Sequence, residues 1–275
     1  MTTLPTNPDF DDLGAGSPDE VADSPSDPNF VLSLARGLQV IETFEGHIEG
    51  QSVANVARAT GLSRAAVRRF LMTLEQLGYA ESTARVYRLK PRVLKLGFSY
   101  LSSTSLPALA QPVLERITEV THESSSLSVL EGEEIVYLGR SAARRVMSVG
   151  LSVGSRLPAY CTSMGRVLLA SLEETQLAAY LDRLQPRALT PKTITDKGQL
   201  NRILRRVAEE GYALTDEELE LGLRSVAVPV RSRQGRVLAA MNIGVHAARV
   251  SAQECVERLL PVLQQNAESF AQLLV

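Results

Sequence analysis

The chain has 275 residues, 44% of them hydrophobic, which is enough apolar material for one sizeable core or two modest ones. No apolar run approaches the roughly 18–20 residues that a membrane-spanning helix needs, and the acidic amino-terminal segment lacks the layout of a signal peptide. Cys161 and Cys255 are too few for a disulfide framework or a zinc cluster. We therefore expect a cytoplasmic protein with no membrane segment, no metal site and no cofactor.

The net charge of −2 conceals an uneven distribution of charge along the chain. Residues 1–29 hold seven acidic residues and no Lys or Arg, whereas residues 30–100 hold ten basic and five acidic residues, a local excess of 10 − 5 = +5. A basic segment in a near-neutral chain indicates a polyanionic partner for that segment. The Pro-, Asp- and Ser-rich tail is predicted to be disordered, either as a dispensable extension or as a weak electrostatic brake on the basic segment.

The first periodic segment, Val31–Phe44, is predicted to be a helix with Ser33 as a plausible N-cap. Its apolar residues recur at steps of three and four: Leu34, Leu38, Ile41 and Phe44.

The next segment, Gln51–Tyr79, predicts two helices joined by a tight turn. Ser52 and Ser63 are candidate N-caps, and Gly61 suits the left-handed backbone that the turn requires. The apolar side of the second helix, Arg64–Leu77, holds Val67, Phe70, Leu71, Leu74 and Leu77. This layout is typical of a helix-turn-helix whose second helix enters the major groove of DNA.

The opposite side of that second helix carries arginines, and long cations suit phosphates while guanidinium groups suit base edges. Tyr79–Leu89 alternates around a polar tip and predicts a β-hairpin, the wing of a winged helix-turn-helix. A small helical hairpin with a solvated arginine face is the alternative. The predicted contacts to double-stranded operator DNA are Ser52, Ser63, Arg64, Ala65, Arg68, Arg69, Arg85 and Arg88.

After Pro91 the pattern predicts a linker helix, Arg92–Ser102, whose apolar face suggests contacts between two copies of the chain. The remainder mixes strands and amphipathic helices and predicts an α+β domain with an antiparallel sheet. The predicted divisions are residues 1–29 (tail), 30–90 (winged helix-turn-helix), 91–104 (linker helix) and 105–275 (effector domain). Predicted strands include Ser124–Leu130, Ile135–Leu138, Val146–Val153, Tyr212–Thr215, Val226–Val230 and Val237–Val245, with Arg140–Arg145 as a basic loop.

Several stretches, taken in order, resemble the IclR family of bacterial transcriptional regulators. They are SLARGLQVIETF, VARATGLSRAAVRRFLMTLEQLGY and YRLKPRVLKLG in the DNA-binding half, and LPAYCTSMGRVLLA and GYALTDEELELGLRSVAVPVRSRQGRVLAAMNI in the second half. The stretch RRVMSVGLSVGSRLPAYCTSMGRVLLA is similar to the branch of regulators of aromatic-acid catabolism through the β-ketoadipate pathway, the protocatechuate and p-hydroxybenzoate regulators. The resemblance implies a dimer or tetramer and an effector domain related to GAF and PAS sensors.

The resemblance also implies that a small carboxylate effector, an aromatic acid or a β-ketoadipate-pathway metabolite, binds on the sheet of that domain. From the residues alone, the Cys161–Gly165 loop enters a helix, and its N–H groups, hydroxyls and helix dipole make a candidate anion seat. Either of two arginines is a further candidate for pairing with a carboxylate. The full set of predicted effector positions is Met147, Cys161, Thr162, Ser163, Met164, Thr215, Asp216, Leu223, Ser225, Asn242, Gly244, Arg145 and Arg156.

Other classes of function remain open from the sequence. Gly150–Gly154 fits G-x-S-x-G, and Asp216 and His246 follow Ser152 in the order of an α/β-hydrolase triad, although the strand–turn–helix context is missing. A DNA-binding protein that takes no ligand is the third possibility. The acidic cluster at residues 216–220 is predicted to be a solvated turn rather than a metal site, and Cys161 near a helix start is a candidate for a lowered pKa.

Overall fold

The computed structural model describes residues 30–103, 106–143 and 151–274, which form two compact units divided between Ser99 and Tyr100. The tail of residues 1–29 and the last residue of the predicted linker, residue 104, lie outside the described residues. The first unit contains α1 (Leu32–Glu42), β1 (Gln51–Ser52), α2 (Val53–Thr60), α3 (Arg64–Gln76), β2 (Ala80–Thr83) and β3 (Val86–Leu89), and α4 (Leu94–Ser103) crosses the division.

The helix-turn-helix forms as predicted because each end of its turn carries the required local chemistry. Ser52 caps α2 and Ser63 caps α3, and each hydroxyl oxygen accepts the N–H three residues later at 3.2 Å. Gly61 ends α2 with a φ of 69°. Val56 and Val67 are fully buried between the helices. The pair of helices is therefore fixed by caps, one glycine and a small apolar core.

The predicted wing is present as the antiparallel hairpin β2–β3. Its tip residues Ala84 and Arg85 have φ values of 52° and 69°, the left-handed pair that matches the twist of a tight hairpin. Glu75 on α3 accepts hydrogen bonds from Ser82 N at 3.2 Å and Ser82 Oγ at 2.7 Å, which ties the wing to α3. The short strand β1, which the sequence did not predict, pairs with the other edge of β3.

Three expectations about the first unit are wrong. The residue before α1 is Val31, which makes no side-chain cap, and Ser33 lies inside the helix. Leu34 and Leu38 are 61% and 46% exposed, because α1 packs through its other apolar residues. Leu77 is 53% exposed, because α3 ends at Gln76 and the chain turns away from the core. The buried apolar residues at this end of the unit are Val40 and Phe44.

Gly50 precedes β1 and is expected to be essential to the first unit. Its φ is +84°, and a Cβ there would lie 2.3 Å from the Tyr87 carbonyl oxygen. Gly61 is the matched control, because its φ is +69° but no atom lies within 4 Å of its Cβ position. We expect Gly61→Ala to cost about 1–2 kcal/mol of stability from backbone strain alone, and Gly50→Ala to cost more. Hydrogen exchange of β1 and β3 in the full chain measures both, and equal costs would contradict the steric argument.

The second unit is built on a six-stranded antiparallel sheet of order β6-β5-β4-β9-β8-β7. Its elements are α5 (Leu106–Thr121), β4 (Ser124–Glu131), β5 (Glu134–Ser141), β6 (Arg156–Pro158), α6 (Ser163–Leu169), α7 (Glu174–Arg183), α8 (Lys197–Glu210), β7 (Ala213–Asp216), β8 (Leu223–Arg231), β9 (Val237–His246), α9 (Ala252–Glu254), a π-helical turn (Cys255–Leu259) and α10 (Leu260–Ala271). The predicted α+β class with an antiparallel sheet is confirmed.

The two faces of this sheet are covered by different helices. On one face Leu127, Met241 and Ile243 pack with the buried residues of α5 and α10. On the other face, which we call the α6 face, Ala227 and Ala240 pack with the buried residues of α6 and α8. Side chains alternate along each strand, so a residue's position in the pairing register determines which face it serves.

Two expectations about the second unit also need correction. Residues 146–150 of the predicted strand Val146–Val153 lie outside the described residues, and Leu151–Val153 belong to no strand. Arg140 lies in β5 rather than in the predicted basic loop, because β5 continues to Ser141 in register with β4. No helix in the described part of the chain is both long and apolar enough to span a bilayer.

Candidate functional site

The exposed face of α3 carries the predicted DNA contacts together. Arg64, Ala65, Arg68 and Arg69 are all exposed, while Val67 between them is fully buried. In the described part of the chain, no carboxylate forms an ion pair with these three arginines. The helix therefore presents uncompensated guanidinium groups on the side that its packing leaves free.

The remaining predicted DNA contacts have more specific surroundings. The hydroxyl oxygens of Ser52 and Ser63 already accept backbone N–H groups as caps. Arg85 is exposed at the wing tip. Arg88 lies 3.7 Å from Glu49, and their side chains are 42% and 97% exposed, so this pairing is weak and solvent-screened. All eight predicted positions belong to the first unit.

A second candidate site is a group of polar side chains on the α6 face of the sheet, where apolar residues would otherwise be expected. The strand register places these side chains in two neighbouring rows. One row runs Thr215–Ser225–Gly244–Ser124, and the other runs Ala227–Asn242–Ser126–Arg140. We call the polar members the polar patch: Thr215, Ser225, Ser124, Asn242, Ser126 and Arg140. Apart from Arg140, which is partly buried, each is at most 8% exposed.

The start of α6 joins this patch through a chain of hydrogen bonds. The Ser163 and Ser225 hydroxyls lie 2.6 Å apart, and Asn242 Nδ2 donates to Ser225 Oγ at 2.9 Å. Thr162 caps α6 by accepting Gly165 N at 3.2 Å. The preceding N–H groups, of Ser163 and Met164, have no acceptor within the helix because they belong to its first turn. The sheet and the helix thus converge on a buried polar region.

A β-bulge brings Arg140 into the patch. The pairing with β4 passes from Tyr137 to Gly139 and skips Leu138, so Arg140 faces the α6 side opposite Ser126. Arg140 Nη1 donates to Ser126 Oγ at 3.4 Å, and no carboxylate of the described residues pairs with it. Burial lowers the pKa of Arg140 below its usual value, with Tyr137 acting weakly in the opposite direction. The guanidinium group is therefore only partly compensated.

The other predicted effector positions fall into three groups. Leu223 and Gly244 lie beside Ser225 on the α6 face, and Met164 lies near Ser128, whose Oγ is 3.2 Å from the Met164 sulfur. Asp216 points to the other face, where it pairs with Arg224 at 2.7 Å. Arg156 is at the other end of the β4–β5 hairpin and pairs with Glu134 at 2.6 Å and with Glu131. Arg145 and Met147 lie outside the described residues.

The expectation of a lowered Cys161 pKa is wrong. Cys161 is fully buried in the turn before α6, and burial raises the pKa of its thiol to about 12 despite the nearby Arg166. Its Sγ lies 3.8 Å from the Pro158 carbonyl oxygen. The side chain therefore acts as a small apolar residue beside the patch.

Two matched family models cover most of the chain. The model described as "IclR helix-turn-helix domain" matches residues 33–84, and the model described as "Bacterial transcriptional regulator IclR C-terminal" matches residues 98–272. The chain belongs to the IclR family. Both halves of the predicted resemblance are thereby confirmed, and an IclR-family chain is a transcriptional regulator rather than an enzyme.

Individual relatives agree with the predicted branch of the IclR family. The chain is 49% identical over 238 residues to the Pca regulon regulatory protein of Pseudomonas putida, across 86% of this chain and 82% of that protein. It is 37% identical over 250 residues to the p-hydroxybenzoate hydroxylase transcriptional activator of Acinetobacter baylyi, across 89% and 92%. A solved IclR homolog from Microbacterium hydrocarbonoxydans, complexed with 4-hydroxybenzoate, has a TM-score of 0.75 at 27% identity, across 87% and 98%.

The hydrolase alternative fails on geometry as well as on family. Ser152 lies in an exposed turn, where its N–H donates to Ser155 Oγ at 2.9 Å, and no helix follows it directly. Asp216 is engaged with Arg224, as described above. Within the described ranges, no three His, Cys, Asp or Glu side chains are arranged to hold a metal ion.

The acidic cluster after β7 differs from the predicted solvated turn. Glu218 is buried, and its two carboxylate oxygens accept hydrogen bonds from Arg166 Nη1 and Nη2 at 2.6 and 2.5 Å. Arg166 belongs to α6, and its Nε also donates to the Tyr160 carbonyl oxygen at 2.9 Å. This bidentate pair ties α6 to the turn after β7. No local pattern in the sequence distinguishes Glu218 from its exposed neighbours.

Two cavities are present in the described part of the second unit, and neither is lined by the polar patch. One of about 400 Å³ lies between α5, the end of β5 and Arg249. Another of about 450 Å³ lies between α6, α8 and the β8–β9 turn. The patch itself is closed over, so a ligand reaches it only when the cover of the α6 face opens.

Proposed function

We propose that this IclR-family regulator binds operator DNA through α3 and the wing, and that a small aromatic carboxylate bound at the polar patch controls that binding. The observation that carries the proposal is the buried hydrogen-bonded group of Ser163, Ser225 and Asn242 between α6 and the sheet. Buried polar side chains lower stability unless they are satisfied, so such a group favours a polar ligand. The regulators of Pca and p-hydroxybenzoate genes and the homolog that holds 4-hydroxybenzoate support the same class of effector.

The proposed control acts on pairs of DNA-binding units in the cytoplasm. One α3 exposes only Arg64, Arg68 and Arg69 with small residues, so a single copy has few groups with which to read bases. Two copies of the chain reading two half-sites would supply the missing specificity. A ligand changes operator affinity by shifting the populations of two arrangements of these units, to the extent that it binds one arrangement more tightly.

The test measures DNA binding and stability of the full chain with matched acids and esters. At a ligand concentration of 100 times Kd, we expect an aromatic acid to stabilise the second unit by about 2.7 kcal/mol and to change the affinity for the gene's own upstream DNA. The methyl ester of the same acid is the control, because it keeps the ring and removes the charge. Full DNA binding with no stabilisation by any aromatic or aliphatic acid would instead support a regulator that takes no ligand.

A further inference from the structure

Asn242 presents a buried acceptor to the space above the polar patch. Its Nδ2 donates to Ser225 Oγ at 2.9 Å, and Oδ1 is buried with no hydrogen-bond partner among the described residues. Leaving a buried acceptor unsatisfied costs about 1–3 kcal/mol. A carbonyl oxygen has no proton to donate, so only a ligand group that carries a hydrogen-bond donor can satisfy it.

Arg140 presents the complementary group on the same face. Its guanidinium is partly buried, contacts Ser126 Oγ at 3.4 Å, and lacks a carboxylate partner among the described residues. A desolvated cation is stabilised most by a carboxylate, which can accept two parallel N–H donors from a guanidinium group. Arg140 therefore selects an anion, whereas Asn242 Oδ1 selects a donor.

The strand register sets the separation between these two groups. Arg140 is opposite Ser126, and Ser126 is opposite Asn242, so their backbones are two strand spacings apart, or about 9.6 Å. The Arg140 side chain reaches back to Ser126 and shortens that gap. One aromatic ring with substituents at separate positions fits between a carboxylate at Arg140 and a donor at Asn242.

Resting on the proposed function, we propose that the effector is a hydroxylated aromatic monocarboxylate, whose carboxylate pairs with Arg140 and whose hydroxyl donates to Asn242 Oδ1. The same two groups discriminate against other acids. An unsubstituted aromatic acid leaves Asn242 Oδ1 unsatisfied, and an aliphatic dicarboxylate brings a second anion against that acceptor, which is a repulsive contact. The patch thus reads a ring hydroxyl as well as a negative charge.

The experiment measures Kd by calorimetry for benzoate, 3-hydroxybenzoate and 4-hydroxybenzoate on the full chain. We expect the better hydroxybenzoate to bind at least about tenfold tighter than benzoate. At the same ring position, the amino analogue should retain that advantage because it donates, and the fluoro analogue should lose it. A fluoro analogue that binds as tightly as the hydroxyl compound would overturn the acceptor role of Asn242.

Variants assign the two ends of the ligand. Arg140→Gln should weaken binding of all these acids by at least about tenfold, whereas Arg156→Gln, which removes an exposed arginine already paired with Glu134, should not. Asn242→Leu should cancel the hydroxyl advantage and leave benzoate binding within about threefold. Asn266→Leu is its control, because Asn266 lies on α10 and donates to the Val262 carbonyl oxygen at 2.8 Å.

The outcomes separate the two proposals. If neither benzoate nor any hydroxybenzoate binds, the proposed function itself fails for aromatic acids. If all of them bind with similar Kd values that Arg140→Gln leaves unchanged, the aromatic effector site stands and the assignment of Arg140 and Asn242 is wrong. The ligand series on the unaltered chain tests the acceptor role of Asn242 even if Asn242→Leu fails to fold.

Discussion

Glu218→Ala is expected to lower the free energy of unfolding of the second unit by about 3–5 kcal/mol, because it leaves the buried Arg166 guanidinium without its carboxylate. The side chains of Arg166 and Glu218 are 2% and 8% exposed, so water cannot replace the lost partner without opening the core. Arg166 is also held by the Tyr160 carbonyl oxygen, which prevents it from turning out to solvent. Since Arg166 lies on α6, the same change should weaken ligand binding at the polar patch.

Urea unfolding of the full chain, with hydrogen exchange on α6 to isolate the second unit, measures this cost. Glu134→Ala is the matched control, because it breaks an ion pair with Arg156 whose side chains are 37% and 40% exposed. That pair is expected to contribute no more than about 1 kcal/mol. Glu218→Gln, which keeps the shape and removes the charge, should fall between the two. A loss below about 1 kcal/mol for Glu218→Ala would show that the buried pair is not structurally important.

Arg64→Ala/Arg68→Ala is expected to reduce affinity for the upstream DNA by at least about 100-fold, because each guanidinium contact to a base or phosphate is worth on the order of 1–3 kcal/mol. Both side chains are exposed on α3, four residues apart, and Val67 between them holds the helix to its core. The slope of log affinity against log salt should fall by about one for each phosphate that a copy of the variant no longer binds.

Fluorescence anisotropy on labelled DNA over a salt series tests this expectation. Arg202→Ala/Arg206→Ala is the matched control, since these residues are exposed on α8 of the second unit with the same four-residue spacing. The control should leave both affinity and salt slope unchanged. Unaltered DNA binding by the α3 variant, with an unchanged melting curve, would exclude α3 as the recognition helix.

The winged helix-turn-helix was predictable because its signals are local. Ser52, Ser63 and Gly61 act within a few residues of their own positions, through caps and one left-handed turn. The buried side of α1 was not predictable in the same way. Several of its faces carry apolar residues, and the neighbouring helices decide which face is covered, so Leu34 and Leu38 remain exposed.

The candidate effector site was predictable in part. The resemblance pointed to Ser163, Ser225 and Asn242, and the fold brings these three together through hydrogen bonds. The choice between Thr215 and Asp216 depended on the pairing of β7 with β8. Thr215 lies opposite Ser225 on the α6 face, which turns its neighbour Asp216 to the other face and against Arg224.

Periodicity, capping residues and family motifs in the sequence were sufficient to establish the fold class, the DNA-binding element and the family. The tertiary structure alone decided the placement of Arg140 and Glu218. A single skipped residue at Leu138 reverses the alternation of β5, and only this shift turns Arg140 toward Asn242. Such placements depend on strands and helices that are distant in sequence, and a local pattern carries no information about which distant residues will pack together.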